Sequence, residues 1–214
     1  MNLVSNTEIA HHSWNRLFKI SAVAALMAGV LFLIAIINLV VTGLQSGAVN
    51  EWLALFPDNW LAVIFKLHAG FKGVESGRLF ELNFLDIAIM ALIATMYIGL
   101  YAALRKTSKI WSIIASVQPF LGIALLIATK SAGRSGVMGG GLVISFVMLR
   151  SKIFNKITAF MGIISSIFLL VGDISVGVSH SDVIAILTGT GYLVLTAWFF
   201  LIAQRLFQLE GDVS

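Results

Sequence analysis

Residues 130–150, KSAGRSGVMGGGLVISFVMLR, decide how this chain is read. Five glycines (Gly133, Gly136, Gly139, Gly140 and Gly141) surround one arginine, Arg134. A phosphate-cradling loop would need the spacing GxxxxGK[ST] between a strand and a helix, and neither the spacing nor a preceding strand pattern is present. A soluble linker fits poorly, because apolar runs flank the segment on both sides. A membrane-crossing helix fits better. Ala132, Gly136 and Gly140 fall four apart, forming a ridge of small residues that lets neighbouring backbones approach closely. The apolar part alone, 136–149, would rise only about 21 Å at the standard 1.5 Å per residue, too short to cross a bilayer. The glycine segment therefore completes the crossing, and the span is expected at about 133–149 with Arg134 at its outer end.

Composition supports this reading. The 214 residues are 59% hydrophobic and 11% charged, where a soluble domain carries about 25% charged residues; the mean hydropathy is +0.99. The chain has no cysteine, which excludes disulfides, zinc–thiolate centres and iron–sulfur clusters. Its sequence pI of about 9.6 comes without the basic blocks or aromatic-basic interleaving of nucleic-acid binders, so no nucleic-acid partner is expected. Lysines and arginines sit instead at the ends of apolar runs, the arrangement that sets orientation in a bilayer.

A helical crossing needs about 20 largely apolar residues. Six such segments are predicted, at about 17–44, 83–104, 110–129, 133–149, 156–178 and 183–204. The first is too long for the apolar core of a signal peptide and reads as an uncleaved helix. Threading the six spans from an inner N-terminus places Arg16, Lys19, Arg105, Lys106, Lys109, Arg150, Lys152, Lys156 and Arg205 inside. Lys66, Lys72, Arg78, Lys130 and Arg134 fall outside. The expectation is a single-domain, all-α, six-transmembrane-helix bundle of the cell (plasma or inner) membrane, with both termini cytoplasmic. The connection 45–82 is long, apolar and broken by Pro57-Asp58-Asn59, a turn signal followed by a helix N-cap. With Trp52 and Trp60 at headgroup level, it predicts an interfacial helix at about 59–71 on the outer surface.

Two stretches carry a resemblance. LRSKIFNKITAFMGIISSIFLLVGD (149–173) joins an Arg-Ser helix end through a basic turn to a glycine-containing helix, and FLDIAIMALIATMYIGLYAALRK (84–106) ends in a Leu-Tyr-then-basic pattern. Together they resemble a family of uncharacterised six-pass prokaryotic membrane proteins, known as a domain of unknown function. The likeness covers helices two to five, roughly half the chain. It implies six helices and brings no catalytic residues.

Polar residues within the spans are the functional candidates, since a charge at the bilayer centre costs about 2.5–3.5 kcal/mol even on lenient scales. Asp86, Asp173 and Asn38 fall in the outer third of their spans, Arg134 and His180 at outer ends, and Gln118 beside Pro119 at depth. Helical spacing groups them further. Asn83, Asp86, Met90, Tyr97 and Tyr101 share one face of span two, and Gly162, Ser166, Asp173, Gly177 and His180 share one face of span five. Thr188, Tyr192 and Thr196 form a shorter stripe in span six. These faces are expected to turn inward around an outward-opening polar pocket. Its candidate ligand-binding residues are Asp86, Asp173, Arg134 and His180, with Asn38, Gln118 and Tyr97 behind them. The competing reading is structural, with the aspartates pairing with Arg134 or Arg78 as a clamp.

Other chemistries are poorly served. Asp173 and His180 share a face but lie about 10 Å apart along the axis, which weakens a membrane hydrolase built on Asp and His. His68 and His180 are both outside while His11 and His12 are on the inner tail, so a bis-histidine haem is not expected. No close pair of histidines suggests zinc, and no metal or cofactor is predicted. The sequence points to a non-enzymatic membrane protein that binds a small molecule or lipid in an outer-leaflet pocket. A small-solute or proton-coupled transporter, a channel subunit, a homo-oligomer and an accessory subunit of a membrane complex remain open.

Overall fold

The computed structural model describes residues 3–46, 84–129, 133–175 and 182–211. At several helix ends (3–13, 38–46, 84–87, 125–129, 133–137 and 173–175) it describes the backbone alone. The interfacial helix expected at about 59–71 lies outside the described residues. Within them the protein is all-helical. Six helices follow in order: α1 Leu3–Ser46, α2 Phe84–Leu104, α3 Lys109–Thr129, α4 Gly133–Arg150, α5 Lys156–Ser175 and α6 Asp182–Gly211. α1 starts well before the apolar run, and α6 continues through the polar segment 204–210 beyond it.

Two turns at one end of the molecule fix the antiparallel course. α2 stops where Thr107 and Ser108 donate to the Leu104 carbonyl, and α3 then starts with Ser112 donating to the Ser108 carbonyl at 3.0 Å. After α4, the Ser151 hydroxyl accepts the Phe154 amide at 3.3 Å. The Asn155 side chain then accepts the Ile157 amide at 3.2 Å, an N-cap satisfying one of the free amides that open α5.

Each helix packs against its sequence neighbour, and α1 also packs against α6, so the six form a closed ring. The closure is aromatic. Phe32 of α1 stacks on Phe199 at 5.5 Å and on Tyr192 at 6.3 Å, both from α6; such pairs contribute about 0.5–1.5 kcal/mol each beyond their burial. The contacts at the turn-bearing end involve charged side chains. Arg105 lies 3.9 Å over the Trp14 ring, and Arg205 donates from Nε to the Ile153 carbonyl. Lys19 and Glu210 form an ion pair at 3.2 Å. These contacts bring the α4–α5 turn, the ends of α2 and α6 and residues 14–19 of α1 to one end of the bundle.

Glycines set the spacing in this ring. A Cβ on Gly99 of α2 would strike Ser21 of α1, whose hydroxyl donates to the Thr95 carbonyl at 3.0 Å. A Cβ on Gly140 of α4 would run into the ring of Pro119 on α3, and one on Gly141 would come within 2.8 Å of the Ser166 hydroxyl on α5. Gly162 of α5 faces Ser145 and Trp198, and Gly172 faces Thr188 of α6. Gly29 of α1 lies against Phe199 and Phe200. Close backbone approach is the physical reason for glycine at these positions.

The outer surface is apolar as well as the core. Ile20, Ile37, Ile110, Leu121, Phe146, Ile157, Phe160, Val183, Ile186 and Leu193 are all more than half exposed. Two helical segments are long and apolar enough to cross a membrane: Trp14–Ile34, with mean hydropathy 2.3, and Ile186–Gly211, with 1.8. Ala88–Leu104, Met138–Arg150 and Lys156–Gly172 are shorter apolar helices.

Substitution to alanine separates tight from open glycines. Gly140→Ala meets a rigid proline ring and should cost about 1–3 kcal/mol, the usual range for overpacking. Gly139→Ala meets only the end of the flexible Gln118 side chain and should cost less. Gly189→Ala meets nothing within 4 Å and should stabilise by up to about 1 kcal/mol through helix propensity. Thermal unfolding of the purified variants checks this order, and a Gly140→Ala protein as stable as the parent would refute the close approach.

Candidate functional site

The glycine run of α4 lets polar groups of three other helices approach it from different sides. Successive residues on a helix point about 100° apart, so Gly139, Gly140 and Gly141 present three directions. Gly139 faces the amide of Gln118 and Gly140 the ring of Pro119, both on α3. Gly141 faces the Ser166 hydroxyl of α5 and, at 3.4 Å from a Cβ position, the Tyr97 hydroxyl of α2. Tyr97 is 2% exposed and Ser166 is 3% exposed. One turn further along α4, Ser145 projects to Gly162 of α5, which the indole N–H of Trp198 from α6 also faces.

This interior carries an unusual load of hydroxyls. Ser165 donates to the Gly162 carbonyl at 3.1 Å and Thr196 to the Tyr192 carbonyl at 2.9 Å, so both are satisfied within their own helices. Among the described residues Ser145 Oγ and Trp198 Nε1 are buried without a hydrogen-bond partner, as are Ser112 Oγ and Ser116 Oγ on α3. An unsatisfied buried group costs about 1–3 kcal/mol. Pro119, inside α3, adds another: without an N–H it cannot bond the carbonyl of Ala115.

The polar faces expected from helical spacing do turn inward where their side chains are described. Met90 and Tyr97 on α2, Gly162 and Ser166 on α5, and Thr188, Tyr192 and Thr196 on α6 are all buried. Tyr101 is half-buried. Of the seven candidates, Tyr97 and Gln118 are brought to neighbouring residues of the α4 glycine run. Asp86 lies in the first turn of α2, Arg134 is the second residue of α4, Asp173 lies in the last turn of α5, and Asn38 is within α1. Those four fall at positions described by backbone alone, and His180 lies outside the described residues. Of the seven, the surroundings of Tyr97 and Gln118 alone are therefore described.

Ser145 and Trp198 were missed by the sequence reading. Ser145 interrupts the apolar run LVISFVML four residues after Gly141, a spacing that continues the α4 small-residue face. Trp198 is two residues after Thr196 and lies off its stripe, so no periodicity marks it. Chemically, the described interior offers hydroxyl, amide and indole donors. It has no nucleophile beside a base, and among the described residues no group of three His, Asp or Glu could hold a metal ion.

Compared with protein-family models, curated proteins and solved structures, the chain matches none. The resemblance to the six-pass family rests on the two quoted stretches alone.

Removing an unsatisfied hydroxyl should be harmless, whereas filling the contact should not. Ser145→Ala is expected to leave stability unchanged or raise it by about 1 kcal/mol. Gly162→Ala, which drives a methyl into both Ser145 and the Trp198 indole, is expected to lower it by about 1–3 kcal/mol. Thermal unfolding distinguishes the two, and a Ser145→Ala protein destabilised by more than about 1 kcal/mol would show that its hydroxyl is bonded.

Proposed function

We propose that this chain is a six-span protein of the cell membrane that binds a small molecule or lipid in an outward-opening polar pocket, without catalysing a reaction. The observation that carries this reading is the inward turn of polar faces on α2, α5 and α6, those of α2 and α5 meeting at Gly141 of α4. In water, a protein would not clothe the outside of such a bundle with isoleucine, leucine and phenylalanine. In a bilayer that surface meets lipid, and hydroxyls and small residues belong inside. By sequence register Asp86 lies three turns before Tyr97, and Asp173 two turns after Ser166, so the polar faces lead toward the two carboxylates.

Orientation follows from the charges. Arg16, Lys19, Arg105, Lys106, Lys109, Arg150, Lys152, Lys156 and Arg205 gather at the turn-bearing end, with Glu210 as the acid described there. The positive-inside rule puts that end in the cytoplasm. The absence of cysteine makes this directly testable. Single cysteines at Thr107→Cys and Lys152→Cys should react with a membrane-impermeant maleimide only after the cells are opened, and Ser131→Cys should react in intact cells. Labelling of Thr107→Cys in intact cells would overturn the orientation.

A transport role is favoured by one observation, the proline-interrupted hydrogen-bond ladder of α3 where it meets Gly140, since broken helices supply free carbonyls to passing ions. Neutralisation decides among the roles. In reconstituted vesicles, Asp86→Asn and Asp173→Asn should abolish ligand-induced thermal stabilisation, or proton or solute flux, while intrinsic stability changes by less than about 1 kcal/mol. If both variants instead lose stability and exchanging charges with Arg134 restores it, the carboxylates are a clamp and the pocket reading fails.

A further inference from the structure

At the opposite end from the expected pocket, α3 and α4 part to leave a cleft of about 290 Å³. Ser108 and Trp111 line one side, and Val143, Phe146, Val147 and Arg150 the other. Its walls are almost wholly apolar, and it opens on the outer surface, where Trp111 and Phe146 are each about half exposed, at 52% and 53%. Its polar groups sit at the mouth. Arg150 is exposed in the last turn of α4, Ser108 immediately precedes α3, and Lys109, next to it, is exposed. Among the described residues neither Arg150 nor Lys109 has an acidic partner; Glu210, the acid described at this end, is held by Lys19. The first amides of α3, free of intrahelical partners as at any helix start, open at the same mouth.

An apolar slot with a guanidinium at its mouth, unpaired among the described residues, matches one kind of molecule, with a hydrocarbon tail and an anionic oxygen-rich head. We propose that this cleft is a binding site for an anionic phospholipid of the leaflet at the basic end. One acyl chain lies along Val143, Phe146 and Val147, Trp111 flanks the glycerol region, and the phosphate is held by Arg150 and Lys109. Guanidinium–phosphate hydrogen bonds are among the stronger ones available to a protein, and indole rings favour the headgroup level. A zwitterionic lipid offers the same phosphate, but its headgroup ammonium is repelled by the two cations at the mouth. The site is distinct from the outward-opening pocket and rests on the membrane reading only in needing lipid nearby.

The test is a titration of the full-length protein in neutral detergent with phosphatidylglycerol carrying brominated acyl chains, read by tryptophan fluorescence. Subtracting the signal of Trp111→Phe isolates the tryptophan at the cleft. The expected result is saturable quenching of that component. Unbrominated phosphatidylglycerol should compete at least about tenfold better than phosphatidylcholine, and inorganic phosphate should not compete, because both head and tail are required. Arg150→Gln, a change at an exposed position that leaves the fold intact, should weaken binding about tenfold. Val143→Phe should abolish it by filling the slot without adding a second tryptophan there. Equal quenching by both lipids, or an unchanged affinity in Arg150→Gln, overturns the proposal. Because the titration is made in detergent, it succeeds or fails independently of the cysteine labelling that tests the six-span reading.

Discussion

The ring of helices depends on how closely α4 can approach its neighbours. At Gly139, Gly140 and Gly141 there is no side chain to keep α3, α5 and α2 away, and Gln118, Pro119, Ser166 and Tyr97 occupy the space instead. The same device recurs around the ring. Gly99 sets the contact of α2 with α1, Gly29 that of α1 with α6, and Gly172 and Gly191 that of α6 with α5. Short interhelical distances multiply weak dispersion contacts, and they leave little room for adjustment, so each contact constrains the next.

What the sequence made legible follows from periodicity. A helix whose polar residues are few and spaced by three, four or seven announces its inner face, and this held for Met90 and Tyr97, for Gly162 and Ser166, and for Thr188, Tyr192 and Thr196. Where a helix is apolar on every side, hydropathy cannot say which side is buried. That is why the partners of Gly139 and Gly140, the Phe32 stack that closes α1 on α6, and the approach of Ser145 and Trp198 to Gly162 were not foreseen. The extension of α6 past its apolar run was also hidden. It is secured by Arg205, which reaches the Ile153 carbonyl and the Gln208 side chain, contacts made across 52 residues of sequence and within one turn respectively. The charged rim of the candidate pocket was named from the sequence, but its side chains lie among those described by backbone alone or outside the described residues. The carboxylates therefore stand as candidates on register and burial cost.

Electrostatics divides the molecule unevenly. The turn-bearing end gathers nine basic side chains and Glu210, whose pairing with Lys19 is exposed and so contributes little to stability. Repulsion among like charges at that end is eased by counterions or by a negatively charged surface, and Arg105 eases its own share by stacking on Trp14. The interior, by contrast, is uncharged among the described residues and is specified by hydroxyls and glycines. Helix packing and surface charge are thus governed by different residues in different parts of the bundle.

Pro119 and Gly140 show what this construction means over generations. The proline ring fills the volume that any side chain at position 140 would require, and the missing methyl at position 140 is what admits the ring. Position 140 cannot gain a side chain while the proline stands opposite, whereas a chain that had already traded the proline for a smaller residue would be free to accept alanine there. Among descendants of this sequence the proline should therefore be inherited with the glycine, so that a gene carrying the proline without the glycine marks a lineage in which α3 and α4 have been re-spaced.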